Sequence, residues 1–142
     1  MNQKTVLLLG TCIIALVGCP ANSDHDNPDF AFYSAPMFDR GDEFMPVGSA
    51  NAIAFSVINR GHASATCSWE VRRLGLVIAE GEVRRLGPGQ TKRIKVYCTE
   101  YTEGEVTYRI ELDPDNSADE GEEGELNNTW SITGYWSSDV WG

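Results

Sequence analysis

The chain is expected to fold as an all-β sandwich of about seven strands, and three observations lead there. Apolar and polar residues alternate in short runs, the pattern of half-buried strands. Clusters of Gly, Pro, Asn and Asp separate those runs at close intervals. No long stretch repeats with a helical period. Antiparallel sheets packed face to face give this combination, because each strand buries one face and turns tightly into the next.

The elements follow in order. Phe30–Met37 is the first candidate strand. Ala52–Ile58 alternates Ile53, Phe55 and Val57 toward one face and stops at Asn59-Arg60-Gly61. Thr66–Arg72 carries Cys67, Trp69 and Val71 on one face, and Leu74-Gly75 turns the chain. Leu76–Leu86 is a longer extended run, expected to kink at Gly81. Gly87-Pro88-Gly89 is a strong turn, since Pro presets φ and Gly accepts positive φ. The same need for positive φ is the expectation at Asn59-Arg60-Gly61. Thr91–Cys98 then alternates Ile94, Val96 and Cys98, and Val106–Leu112 alternates Val106, Tyr108, Ile110 and Leu112. Thr129–Thr133 is the last expected strand, with Trp130 and Ile132 toward the core. Trp69 is expected between the sheets.

Ahead of these strands lies an export signal. Lys4 and the amino terminus supply positive charge, and Val6–Val17 is apolar apart from Gly10, Thr11 and Cys12. That core is short for a bilayer span, which takes roughly 20 apolar residues. Leu16-Val17-Gly18-Cys19 is similar to a bacterial lipobox, at which a precursor is lipidated and cut. Residues 1–18 are then a signal peptide and Cys19 the lipidated first residue. Residues 19–29 form a polar tether, residues 30–136 the sandwich and residues 137–142 a tail. An ordinary cleaved signal is the alternative. Pro20 stands where an Asp would resemble an inner-membrane retention signal, so outer-membrane sorting is expected if the organism has such a membrane.

The 142 residues allow one core. A net charge of −10 argues against nucleic acid as a partner. The charge is uneven: Arg72, Arg73, Arg84, Arg85, Lys92, Arg93 and Lys95 make the middle basic, while Glu111–Glu125 is densely acidic. Glu70-Val71-Arg72-Arg73-Leu74-Gly75 recurs as Glu82-Val83-Arg84-Arg85-Leu86-Gly87. Two copies are too few for a solenoid, and each ends a strand at a turn. The two Arg pairs are expected at opposite ends of the sandwich.

Part of the chain resembles the CARDB family (cell-adhesion-related domain found in bacteria), an immunoglobulin-like sandwich. The resemblance runs from Pro28 to about Trp130 and rests on four stretches. They are Pro28-Asp29-Phe30, Val57-Ile58-Asn59-Arg60-Gly61, and Leu86-Gly87-Pro88-Gly89-Gln90-Thr91. The fourth is Ile110–Asn116 followed by Glu120 and Glu125-Leu126-Asn127-Asn128. The chain departs from the family pattern in extra residues between Glu120 and Glu125 and in a long stretch from Phe38 to Ala50. The resemblance implies an antiparallel immunoglobulin-like sandwich serving adhesion or binding.

Candidate functional residues are few. Cys67 and Cys98 form an even pair in an oxidising compartment and are candidates for a disulfide, with two buried thiols as the alternative. Asp113, Asp115 and Asp119 begin like an EF-hand, but Ala118 holds the Gly position and Gly124 the bidentate Glu position, so an EF-hand is rejected. A looser calcium site on those three residues competes with a solvated acidic loop; no other cofactor is expected. Trp136 and Trp141 lie beyond the last expected strand, where aromatics can stack on sugar rings or a protein partner, or fold back over a sheet edge. His25 and His62 lie in the tether and a turn, and nothing suggests a catalytic arrangement. The expectation is a non-catalytic binding or adhesion module at the cell envelope, anchored to a membrane through lipid on Cys19, with a protein or glycan partner. A structural or accessory lipoprotein of an envelope complex is the alternative.

Overall fold

Ile53, Phe55 and Val57 all point to one side of the strand Asn51–Asn59, and burying that side requires a second sheet. The computed structural model describes residues 27–40, 44–114 and 128–139. Its strands in chain order are β1 (Phe30–Phe38), β2 (Phe44–Pro46), β3 (Asn51–Asn59), β4 (Ala65–Arg73), β5 (Leu76–Leu86), β6 (Thr91–Cys98), β7 (Gly104–Leu112) and β8 (Thr129–Ser137). Sheet order is β1-β3-β6 in one layer and β2-β8-β7-β4-β5 in the other. The fold is an immunoglobulin-like β-sandwich.

Aromatic rings pack edge to face both within a layer (Phe32–Phe55, Tyr108–Trp136) and between the layers (Phe55–Trp69, Phe38–Trp136). Phe55 lies 6.1 Å from Phe32 and 5.8 Å from Trp69, and Trp136 lies 5.7 Å from Phe38 and 5.9 Å from Tyr108. Such pairs add about 0.5–1.5 kcal/mol each beyond their burial. Trp69 faces inward as expected, partly buried against the core. It explains the glycine opposite: a Cβ on Gly81 would stand 2.6 Å from the Trp69 ring.

The described residues form eight strands, in keeping with the expected sandwich of about seven; the added one, Phe44–Pro46, pairs with Tyr135–Ser137 in parallel rather than antiparallel sense. The end of the last strand needs correction. The last strand runs to Ser137, not Thr133, so Trp136 lies within it and is fully buried. Gly134 makes this possible, since a Cβ there would collide with Met45 and Phe38. Trp130, expected in the core, keeps 43% of its surface exposed and covers Phe32 from the margin.

The turns divide the molecule into two poles. One holds the 59–63 turn, the 87–90 turn and the point where residues 27–29 enter. The other holds the β4–β5 hairpin, the β2–β3 turn and the β6–β7 loop. In the hairpin, Leu74 and Gly75 both take positive φ (52° and 79°), the requirement of a type I′ turn that matches the twist of the strands. At the other pole Gln90 N donates to Gly87 O at 3.0 Å, with Pro88 second and Gly89 (φ 76°) third, as in a type II turn.

Candidate binding surface

The entry pole is organised around one side chain. Asn59 is fully buried at the end of β3. Its Oδ1 accepts from Asp29 N at 3.0 Å and Gly61 N at 2.9 Å, and its Nδ2 donates to Ala63 O at 2.8 Å and Leu86 O at 2.9 Å. Its main chain also accepts from Gly89 N and donates to Gln90 O. Three of the stretches behind the family resemblance, 28–30, 57–61 and 86–91, therefore meet at Asn59. Gly61 is needed here for space, not for positive φ as the sequence suggests. A Cβ would fall 2.2 Å from Asn27 O and 2.6 Å from Asp29 N, both backbone atoms. Arg60 N and His62 N donate to Asp29 O and Asn27 O, which fastens Asn27–Asp29 to the sandwich.

A partly buried ionic network organises the opposite pole. Arg73, at the end of β4, grips Glu100 with two of its nitrogens, Nε to Oε2 at 2.7 Å and Nη2 to Oε1 at 2.6 Å. Tyr108 of β7 is fully buried and donates its hydroxyl to Glu100 Oε2. Glu100 O in turn accepts from Gly48 N at 2.7 Å, tying in the β2–β3 turn. Burial alone would raise the Glu100 carboxyl, but the hydrogen bonds from Arg73 and Tyr108 outweigh it and hold the group below its ordinary range. Burial and the bond to Glu100 push the Tyr108 phenol up. Burial also raises the Cys98 thiol, partly offset by its hydrogen bond with Tyr108. The alternation of β7 places Tyr108 in the core, and a buried phenol needs a partner; that is the signal in the sequence for this network.

This network steadies a surface rich in exposed apolar side chains. Leu74 is 83% exposed, Tyr101 80%, Leu76 72% and Tyr97 71%. Met37, Phe44, Val77, Ile78 and Tyr135 are also exposed and lie in the half of the sandwich toward this pole. Only Tyr33 and Trp130, among the exposed large apolar residues described, lie toward the entry pole. Phe44 and Tyr135 pack edge to face at 5.4 Å on the outer surface.

The remaining sequence candidates fall elsewhere. Cys67 and Cys98 are both buried thiols, with no disulfide between them. Antiparallel strand tracking separates them: Cys67 sits toward the entry pole of β4 and Cys98 at the far end of β6, in the other sheet. Trp136 is core, which removes it as a ring for stacking on a ligand. Asp113 is buried, with φ 49° and its N–H on Ser68 O. Cys19, Asp115, Asp119 and Trp141 lie outside the described residues. Among the described residues, no group of three or more His, Cys, Asp or Glu side chains is placed to hold a metal ion. The two Arg pairs do fall at opposite poles.

Comparison with known proteins agrees with this architecture. No curated protein matches the chain. The chain is similar to the CARDB domain of a Pyrococcus furiosus protein, solved in complex with di-metal ions. Identity is 20% and the TM-score 0.67, over 78% of this chain and 90% of that one. A domain of a candidate cell-surface protein from Methanosarcina acetivorans is 20% identical with a TM-score of 0.61, over 78% of this chain and 93% of that one. A β-glucosidase of Erythrobacter marinus is similar at 13% identity and a TM-score of 0.52, over 78% of this chain but 16% of the enzyme, a likeness of fold alone. The sequence profile of the CARDB family matches residues 41–131, from ahead of β2 into β8. The chain belongs to the CARDB family.

Proposed function

We propose that the chain is a lipid-anchored, extracytoplasmic and non-catalytic module that binds a protein or glycan partner through the pole opposite its point of entry. The polarity of the sandwich carries this reading. Residues 27–29 are fastened beside the 59–63 turn, and the exposed apolar side chains concentrate at the other end. With lipid on Cys19, residues 20–26 reach at most about 25 Å, which keeps the entry pole near the membrane and turns the other outward.

Leu74 adds weight to this reading. A leucine with positive φ is strained, since only Gly, Asn and Asp visit that region readily. An exposed strained leucine contributes nothing to the core, and local strain clusters at functional positions. The cell-surface description of the Methanosarcina relative fits a displayed role.

The test has two parts. In the native host, Cys19→Ala is expected to abolish processing at Gly18-Cys19 and membrane association; unchanged processing and association would refute the anchor. Cells displaying the wild-type chain or a Leu74→Asn/Tyr97→Ser/Tyr101→Ser variant are then compared for adhesion to glycan arrays and host surfaces. Adhesion lost in the variant supports the outward pole as the binding face. Equal adhesion sinks it, and capture of envelope proteins alone would make the chain an accessory lipoprotein.

A further inference from the structure

The strand β5 bulges near its end. Ala65 pairs with Leu86 and Cys67 with Val83, so β5 carries one residue more than β4 across this interval. Arg85 lies in the bulge with φ 53°. Left-handed arginine is strained, and a bulge re-aims the side chain it carries. Between this bulge and the 87–90 turn lies an open notch of about 490 Å³, whose ionised lining residues are Arg84, Arg85 and Lys92.

Three cations on one notch are unexpected in a chain with net charge −10. Arg84 has an acidic partner, Glu82, at 2.6 Å. Neither Arg85 nor Lys92 has one among the described residues, although both side chains are exposed beside the hollow. Gln90 is oriented for the same task. Its Oε1 accepts from Gly87 N at 2.7 Å, which leaves the amide Nε2 with its two N–H groups to donate. The Thr91 hydroxyl adds another donor on the lining.

We propose that this notch binds a phosphate group. A planar guanidinium, a mobile ammonium, an amide and a hydroxyl around one hollow suit a tetrahedral oxyanion carrying more than one charge. The hollow exceeds the size of bare phosphate and leaves room for the esterified alcohol. The phosphate can come from an anionic lipid headgroup or from a free phosphate ester. The notch adjoins the entry pole, because Leu86 O and Gly89 N are both bonded to Asn59, which also holds Asp29. That placement favours the headgroup, which complements a single lipid chain that anchors only marginally. The headgroup as source rests on the anchored reading above; the phosphate chemistry does not.

The experiment is an NMR titration of the full chain in nanodiscs of phosphatidylcholine or phosphatidylglycerol, with glycerol phosphate as the added probe. In phosphatidylcholine discs, glycerol phosphate is expected to shift the amides of residues 84–92 and saturate. Arg85→Gly removes the cation and relieves the strained φ, so its melting temperature should match or exceed the wild type. Its affinity should fall about tenfold, the equivalent of one charge-assisted contact. Lys92→Gln serves as the second variant. Absent shifts, shifts spread over all surface cations, or wild-type affinity in both variants would overturn the proposal. In phosphatidylglycerol discs the same amides are expected to be shifted already, and the added probe to have little effect. An identical titration in both discs overturns the headgroup as source and leaves the phosphate site standing. Failure of the anchor reads differently: the chain then elutes apart from either disc, and the same titration in solution decides the phosphate site.

Discussion

Replacing Asn59 with Ala should cost more than any other polar substitution among the described residues. The side chain makes four hydrogen bonds to main-chain groups, two of them, at Asp29 and Leu86, far away in sequence. The bond to Leu86 O is buried, and a buried carbonyl left unpaired costs about 1–3 kcal/mol. The other three are partly buried, where water can replace part of the loss, and each contributes about 0.5–1 kcal/mol. The sum is about 2.5–6 kcal/mol, a large share of the roughly 5–15 kcal/mol that holds a domain together. In urea unfolding followed by tryptophan fluorescence, the midpoint should fall with the slope unchanged. The melting temperature should drop by about 10–20 °C. Asn59→Asp separates hydrogen bonding from shape. It keeps the two bonds accepted by Oδ1 and sets a carboxylate oxygen against the Ala63 and Leu86 carbonyls. It should therefore be at least as damaging at neutral pH and milder when the carboxyl is protonated. A loss below about 1 kcal/mol for Asn59→Ala, the worth of one ordinary hydrogen bond, would refute the idea that this side chain joins the entry pole.

Other outcomes follow from the same structure. Gly61→Ala should destabilise by more than the ordinary cost of added volume, about 1–3 kcal/mol, because its Cβ meets backbone at 2.2 Å; a thermal melt decides. Glu100→Gln should destabilise by about 1–3 kcal/mol, discounted because Arg73 is partly exposed. The folded Glu100 carboxyl lies below its ordinary value of 4.5, so the stability it confers is present above that pH. That stability is lost as pH falls through the folded value. The gap between wild type and Glu100→Gln should therefore close in strong acid, as measured by unfolding across a pH series. Reductant should leave the melting temperature unchanged, and a thiol reagent should reach Cys67 and Cys98 only on unfolding, since both are buried thiols outside any disulfide. Leu74→Asn should raise stability by about 1 kcal/mol, the cost of left-handed leucine, while weakening partner binding.

The sequence by itself determined the strands, because alternation at Ile53, Phe55 and Val57 or at Tyr108, Ile110 and Leu112 is a local consequence of strand geometry. It also determined the turn at Pro88-Gly89, where residue type alone constrains φ, and the place of the turn at Leu74-Gly75 though not the positive φ of Leu74. The three family stretches at the entry pole could be read as well, though not their reason. That Asn59 meets Leu86, and that Gly61 must lie against Asn27, depends on contacts between segments distant in sequence. Tertiary structure alone placed Trp136 in the core, since the strand carrying it gains a partner, Phe44–Pro46, too short for a pattern to reveal. It alone separated Cys67 from Cys98, because parity gives a residue's face and not its height along the sandwich. The two poles were decided the same way: which residues gather at an end depends on how strands pair, and pairing is a property of the assembled sheets.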